Sequence, residues 1–240
     1  MESALMLEIV LRAGTSALCL LVAVGLLMDG RSNTARLGAL FALGAAAYVL
    51  CHPAEMLDAL GPARWIIIPL GDLEGVFFYW FALTLFNDRF CWKLHCLWPV
   101  LPVAIAHGVV RAMPGTFAAG IGEIVAASLI LFFMGHAVLL AVRHMADDLV
   151  VHRRGFRVFF SLTVGVLGIA VALTKIWDAP HGVMTAFGQV EAVLSFAIAL
   201  SFALWALKAR DDIFALPEAA TPIGEAEQRI DTIAPEDRPI

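Results

Sequence analysis

Charged side chains inside otherwise apolar stretches are the residues of this sequence that could do chemistry. Glu8 and Arg12 lie four residues apart in one apolar run, and Asp72 and Glu74 lie two apart in another. Four further charged residues interrupt or close apolar runs: Glu123, Lys175, Asp178 and Glu191. A charge at the centre of a membrane helix costs roughly 2.5–3.5 kcal/mol on insertion scales, so each of these side chains needs a partner or a wet cavity.

Local neutralisation is one interpretation of these charges. Glu8 and Arg12 share a helical face with the acid N-terminal to the base, which is the favourable order for a pair. Lys175 and Asp178 form a second local pair. The remaining acids then lie at helix ends within reach of interfacial water.

A polar cavity is the other interpretation. Arg12, Glu74 and Glu191 would face one another across a helix bundle and bind a small ligand, with Arg12 bridging the two acids. Asp72 and Glu74 point roughly 160° apart on a continuous helix, so only one of them can face such a cavity unless the helix breaks. The sequence leaves both interpretations open.

Catalytic and cofactor chemistry finds little support in the sequence. Zinc would need three converging ligands, and His52, His107 and His181 supply them only if several loops fold together. There is no G-x-S-x-G nucleophile motif. The last apolar stretch has no lysine before Lys208 that could carry a retinal Schiff base. We therefore expect no catalytic residues, no metal and no cofactor, and we do not expect an enzyme.

The elements that must position these charges are membrane-spanning helices. The chain is 61% hydrophobic and 15% charged, with a mean hydropathy of +0.85, which leaves too little polar surface for a water-soluble globule. Seven apolar runs are long enough to predict spans. They cover residues 6–28, 36–53, 65–86, 96–113, 120–142, 156–177 and 183–207. The predicted fold is an all-α, polytopic, seven-helix membrane protein.

Basic residues fall mainly in every second gap between these stretches. Ten lie on one side: Arg31, Arg36, Arg89, Lys93, Arg143, Arg153, Arg154, Arg157, Lys208 and Arg210. The other side has only Arg64, Arg111 and Lys175. The positive-inside rule for short loops then places the N-terminus outside and the C-terminus in the cytoplasm. Nearly all of the intramembrane charges therefore map to the outer half of a multi-pass protein of a bacterial inner membrane.

Two regions differ in composition. Residues 1–210 form the predicted seven-helix transmembrane domain. Residues 211–240 carry eight acids against two arginines and contain four prolines, with few apolar side chains. This composition is typical of a disordered cytoplasmic tail.

Four segments carry a resemblance to a known family. They are Met6-Leu7-Glu8-Ile9-Val10-Leu11-Arg12, the stretch from Arg36 to Cys51, Trp80-Phe81-Ala82-Leu83-Thr84-Leu85-Phe86-Asn87-Asp88-Arg89-Phe90, and the basic segment 148–157. Together they resemble the membrane-embedded N-terminal region of some bacterial AraC-type transcriptional regulators, over roughly residues 5–215. The resemblance implies a seven-span architecture and a sensing role, but no site residues.

The sequence departs from that family at its end. In those regulators a cytoplasmic helix-turn-helix domain follows the spans, whereas this sequence stops at Ile240. The acidic tail would repel phosphate, so we expect no direct nucleic-acid binding. The expectation is a sensor module truncated before its DNA-binding domain.

The predicted function is signal reception in the membrane. The expected partners are the lipid bilayer and a small or lipophilic ligand, and the sequence leaves a homodimer open. The alternative is a small-solute transporter or intramembrane enzyme that uses the outer-half carboxylates. A transporter needs polar residues that continue through the inner half, where the spans offer only His136, Ser161, Thr163 and Ser201, which favours the sensor.

Overall fold

The computed structural model describes residues 2–28, 32–52, 54–86, 97–143, 151–178 and 185–213. This part of the chain is helical and contains no strand. The elements, in chain order, are α1 (Glu2–Met28), α2 (Asn33–Leu50), α3 (Ala54–Ala59), a 3₁₀ turn (Gly61–Ala63), α4 (Arg64–Asp72), α5 (Glu74–Phe86), α6 (Val100–Ala112), α7 (Phe117–Arg143), α8 (Val151–Asp178) and α9 (Thr185–Ile213).

Five of these helices, α1, α2, α7, α8 and α9, are long and apolar enough to cross a membrane. They correspond to the first, second, fifth, sixth and seventh predicted spans. Counting α4 and α5 together as one bent span raises the number to six. The described residues thus confirm an all-helical membrane protein.

The predicted third span, residues 65–86, is not one helix. It divides into α4 and α5, which meet at Leu73 and are bent by 46°. Pro69 lies inside α4, where it lacks a backbone N–H donor and its ring crowds the carbonyl four residues earlier. The carbonyl of Leu73 instead accepts hydrogen bonds from the backbone N–H groups of Val76 and Phe77, both at 3.0 Å, which starts α5 afresh.

The helix that corresponds to the predicted fourth span, residues 96–113, is shorter than predicted. Helix α6 begins only at Val100, after a turn that ends at Pro99. Its 13 residues extend for about 20 Å, less than the roughly 30 Å of a hydrocarbon core.

The helices surround a common interior. Helix α1 packs against α2 and α9, α2 packs against α4 and α5, and α7 packs against α5, α6 and α8. Helices α8 and α9 complete the ring, but they pack against each other much less closely than the other neighbouring long helices do. Every predicted span therefore contributes to the wall of one bundle.

Close approach between α2 and the α4–α5 pair depends on glycine. A Cβ added at Gly71 would lie 2.9 Å from the Cα of Tyr48, so the backbones touch there. Gly44 of α2 is similarly close to the Cα of Glu74, at 3.3 Å from the added Cβ. Gly75 of α5 faces another helix, since a Cβ added there would lie 2.7 Å from the side chain of Ile130 of α7.

Buried aromatic rings fill the interior around the middle of the bundle. This aromatic cluster comprises Phe41, Phe78, Phe81, Phe160 and Phe202, from four helices. The tightest contact stacks Phe160 of α8 on Phe202 of α9 with ring centroids 4.6 Å apart. Phe41 bridges α2 to α5, at 5.3 Å from Phe78. These rings join α8 to α9 at a level where the two helices otherwise pack sparsely.

Several sequence-based predictions fall outside the described residues. These are the acidic tail from residue 214 onward, the Asn87-Asp88-Arg89-Phe90 part of the resemblance, residues 148–150 of its basic segment, and His181. Helix α9 reaches Ile213, three residues past the predicted domain boundary at 210.

Candidate functional site

Arg12 lies at the centre of a buried polar network in the first half of α1. Its Nε donates to Glu8 Oε1 at 2.9 Å, and its Nη2 donates to the carbonyl oxygen of Gly188 at 3.1 Å. The same Nη2 lies 3.5 Å from Glu191 Oε2. Arg12 is 1% exposed and Glu191 2% exposed. The guanidinium therefore joins α1 to the first turns of α9.

Glu191 has a second partner on another helix. The hydroxyl of Tyr48, near the end of α2, donates to Glu191 Oε1 at 2.8 Å. Each carboxylate oxygen thus faces a different helix. Because buried charges are stable only when paired and hydrogen-bonded, this arrangement fixes α1, α2 and α9 relative to one another.

One nitrogen of this network has no partner. Arg12 Nη1 is buried and makes no hydrogen bond within the described part of the chain. A buried donor without an acceptor is costly, so the network has unused hydrogen-bonding capacity.

Lys175 approaches the same residues from the last turn of α8. Its Nζ lies over the ring of Tyr48, 5.1 Å from the centroid, a cation–π contact. The ammonium also interacts electrostatically with Glu191, Asp72 and Glu74. Its predicted local partner was Asp178, whose side chain lies outside the described residues.

The break at Leu73 brings Asp72 and Glu74 to the same cavity. On a continuous helix these two side chains would diverge, but both line the cavity described below. Asp72 pairs with Arg111 of α6, and His107 Nε2 lies 3.8 Å from Asp72 Oδ1. Asp72 is thereby neutralised from α6.

Glu74 differs from Asp72 and Glu191, two of the other acids in the cavity wall. Among the described residues its carboxylate forms neither a hydrogen bond nor an ion pair within 4.0 Å, although Lys175 and Glu191 act on it electrostatically. Its backbone is held against Gly44 of α2. Glu74 therefore presents an unpaired carboxylate to the cavity.

One cavity of about 920 Å³ connects these groups. At one end, which we call the polar end, its wall contains Tyr48, Asp72, Glu74, Lys175 and Glu191. Its remaining wall is mostly apolar, with contributions from α1, α2, α7, α8 and α9, and it includes three rings of the aromatic cluster: Phe41, Phe160 and Phe202. This volume lies within the range of roughly 300–1,000 Å³ typical of small-molecule sites.

The three predicted ligand-binding residues have different positions. Arg12 and Glu191 come together, whereas Glu74 lines the same cavity without touching Arg12. Arg12 lies behind Glu191, away from the cavity wall. It bridges Glu8 and Glu191 rather than Glu74 and Glu191. The local Glu8–Arg12 pair and the cavity are therefore both present, and ligand binding by these residues stays a prediction.

Tyr48 and Lys175 are polar-end residues that the sequence interpretation missed. Tyr48 is one of only two tyrosines in the chain, and it lies on the same helix, α2, as Gly44. A hydroxyl near the end of an apolar run reads as an interfacial group, so nothing in the sequence pointed to Glu191 as its acceptor. Lys175 lies three residues before Asp178, so the sequence suggested a local pair of these two residues. It gave no sign that Lys175 contacts the ring of Tyr48.

The histidines near the polar end bond to their own helices. His52 Nδ1 lies 3.0 Å from the carbonyl oxygen of Tyr48, and His107 Nδ1 lies 3.1 Å from that of Val103. Burial, with the nearby Lys175 ammonium, holds the pKa of the His52 imidazole below its usual value. Within the residues that the structure describes, no three His, Cys, Asp or Glu side chains are grouped to hold a metal ion.

Comparison of this chain with protein-family models, curated proteins and solved structures found no match.

Proposed function

We propose that this protein is a membrane-embedded signal-reception module that binds a small or lipophilic ligand in its interior cavity. The observation that carries the proposal is a cavity with a polar end and an otherwise mostly apolar wall. Such a site orients an amphipathic molecule, because polar groups fix one end and apolar side chains accept the rest. Glu74 and Glu191 are the proposed ligand-binding acids, and Arg12 holds Glu191 in place.

The proposal includes seven spans in a bacterial inner membrane, with the N-terminus outside. The charge asymmetry of the loops supports this orientation. The bent α4–α5 pair would be the third span and α6 a short fourth one. The resemblance to the membrane region of AraC-type regulators agrees with this architecture and with a sensing role.

The apolar wall favours reception over transport or intramembrane catalysis. A transporter needs a polar path that continues past the ligand site. Below the polar end, the described cavity wall passes instead into Val22, Val164 and the rings Phe41, Phe160 and Phe202. A bound molecule would therefore meet a closed apolar floor.

Signal transmission requires that the ligand prefer one packing of the helices over another. Helix α9 carries Glu191 at the polar end and Phe202 in the aromatic cluster, and it continues to Ile213. Because α8 and α9 pack sparsely, their separation is the property that a ligand between them would change most.

The test is whether cavity volume is needed to retain a native small molecule. Full-length protein is purified in mild detergent from its own host, and the bound compounds are extracted and identified by mass spectrometry. Ala199 lines the cavity and is 8% exposed, so Ala199→Phe fills the cavity from within. We expect a compound that co-purifies with the wild type and is depleted at least about tenfold in A199F, since the ring occupies its volume.

The matched control is Val193→Phe. Val193 lies on a different face of α9 from Ala199, and its side chain is 50% exposed. V193F adds a ring of the same kind on the lipid-facing side and should retain the compound. If no compound is lost in A199F while that variant stays folded, the cavity is not a ligand site.

A further inference from the structure

The two helices that pack least closely have facing stripes that line the cavity. On α8 the stripe includes Val164, Gly168 and Ala172, and on α9 it includes Ser195 and Ala199. These side chains are mostly small, so the gap between α8 and α9 is filled by cavity rather than by interdigitated side chains. The stacked rings of Phe160 and Phe202 close this gap at one end.

The outward faces of α8 and α9 are apolar and exposed. Val166 and Leu173 of α8 are 58% and 51% exposed, and Val190 and Leu194 of α9 are 53% and 44% exposed. In a bilayer such residues face acyl chains. Because α8 and α9 pack least closely of the neighbouring long helices, the cavity is separated least from those acyl chains along the gap between these two helices.

The length of the gap suits a single alkyl chain. Glu191 and Phe202 are eleven residues apart on α9, which is about 16 Å along a helix. Between these two levels the wall is mostly apolar, and its polar members are small: Thr15, Cys19 and Ser195. The rings of Phe160 and Phe202, with centroids 4.6 Å apart, close the far end of the gap and limit the chain to about this length.

At the polar end, two opposite charges that are at least half-buried lack direct partners, whereas a further acid of the cavity wall, Glu123 of α7, is exposed. The Glu74 carboxylate has no hydrogen bond or ion pair among the described residues, and the Lys175 ammonium contacts only the face of the Tyr48 ring there. Glu191 and Asp72 differ, because Arg12 and Arg111 respectively neutralise them. A ligand that supplies one cationic and one anionic group would satisfy both unpaired residues.

From these observations we infer that the cavity takes a single-chain amphiphile with a zwitterionic head group, which reaches it from the bilayer between α8 and α9. The cationic part of the head lies at Glu74 and the anionic part at Lys175. The alkyl chain lies along the stripes of α8 and α9 and ends at Phe160 and Phe202. This inference rests on the proposed ligand reception and specifies the ligand class.

The experiment compares four amphiphiles that share a dodecyl chain and differ only in the head group. Full-length protein in phosphatidylglycerol nanodiscs is titrated with dodecylphosphocholine, dodecyltrimethylammonium, dodecyl phosphate and dodecyl maltoside, and the rise in Tm gives the apparent Kd. We expect dodecylphosphocholine to bind at least about tenfold more tightly than the maltoside, since it makes two additional charge-assisted contacts.

Two conservative variants assign the two halves of the head group. Glu74→Gln should weaken dodecylphosphocholine and dodecyltrimethylammonium by about tenfold and leave dodecyl phosphate unchanged or tighter. Lys175→Gln should weaken dodecylphosphocholine and dodecyl phosphate but not the trimethylammonium compound. Opposite head-group effects of the two variants distinguish binding from general loss of stability, which would affect all four amphiphiles alike.

Cavity filling separates this inference from the proposed function. A199F should abolish the stabilisation by all four amphiphiles, and V193F should not. If A199F abolishes the stabilisation but all four amphiphiles bind the wild type equally, the zwitterionic assignment is wrong and ligand reception stands. If the amphiphiles stabilise A199F as well as wild type, they act from the lipid surface and this inference is overturned, while the co-purified compound separately decides the proposed function.

Discussion

The polar end and the aromatic cluster solve the same problem, holding helices together inside a membrane, in opposite ways. At the polar end and directly behind it, Tyr48, Glu191 and Arg12 each come from a different helix and meet at specific distances of 2.8–3.5 Å. In the aromatic cluster, rings from four helices stack or tilt at centroid distances of 4.6–6.1 Å without any directed bond.

The two regions differ in the defect that a substitution creates. Removing one member of a buried charge network leaves an uncompensated charge in a low-dielectric interior, which costs more than the lost contact alone. Removing one ring leaves a cavity, whose cost depends on how far the neighbours relax. The polar end is therefore sensitive to residue identity, whereas the aromatic cluster is sensitive to volume.

The largest effect is expected from Arg12→Leu. This change leaves Glu8 and Glu191 without their cation, and we expect a loss of about 3–5 kcal/mol in the free energy of unfolding, measured in detergent. The double variant R12L/E8L should recover little, because Glu191 stays unpaired. The double variant R12L/E191L should recover more. Arg64→Leu, at an exposed arginine, is the control and should change stability by less than about 1 kcal/mol. Equal stability of R12L and wild type would mean that water reaches this network.

A smaller loss is expected in the aromatic cluster. Phe78 is fully buried, and Phe78→Ala should cost about 3 kcal/mol through the cavity that it leaves. Phe117, which is 86% exposed, provides the matched control, since F117A creates no cavity. If Phe78→Leu retains most of the stability that Phe78→Ala loses, as volume sensitivity requires, the contrast with the polar end is sharpened. A leucine that restores nothing would indicate a specific role for the ring.

Tyr48→Phe should have the smallest effect on stability. It removes the hydroxyl that donates to Glu191 but keeps the ring under Lys175 and the pair with Arg12. We expect a loss of about 1.5–3 kcal/mol, because one carboxylate oxygen becomes unsatisfied. The double variant Y48F/E191Q measures the coupling of the two residues, and strictly additive losses would contradict the hydrogen bond.

How far the sequence predicted this molecule can be seen from these residues. Uninterrupted apolar length predicted α1, α2, α7, α8 and α9, because membrane helices must satisfy their backbones internally. Helix spacing alone predicted the Glu8–Arg12 pair. The break at Leu73 was not predicted, since the close contact of Gly71 with Tyr48 of α2 next to it exists only in the folded bundle.

The sequence identified candidate charged residues but not the side chains that contact them. The scarcity of charges inside apolar runs identified Arg12, Glu74 and Glu191 as candidates, because such charges are costly. The contacts of Tyr48 and Lys175 could not be predicted, since these two residues lie more than 100 positions apart in sequence and meet only in the folded bundle. The route of the chain through the membrane, from outside to cytoplasm, stays a prediction from the loop charges.

Cysteine accessibility along the cavity tests the central claim most directly, namely that a ligand cavity extends from the polar end to a closed aromatic floor. Single cysteines are placed at Ser195, Phe202 and Val193 in a chain whose four native cysteines are replaced by serine. Each variant, in proteoliposomes, is treated on both sides with a small water-soluble methanethiosulfonate reagent.

The account predicts that S195C reacts readily and that dodecylphosphocholine protects it. The lipid-facing V193C should stay unmodified, and F202C, at the closed end of the cavity, should react much more slowly than S195C. An S195C protein that is folded and unreactive would contradict the cavity. F202C reacting as fast as S195C would contradict the closed floor and indicate a continuous aqueous path instead.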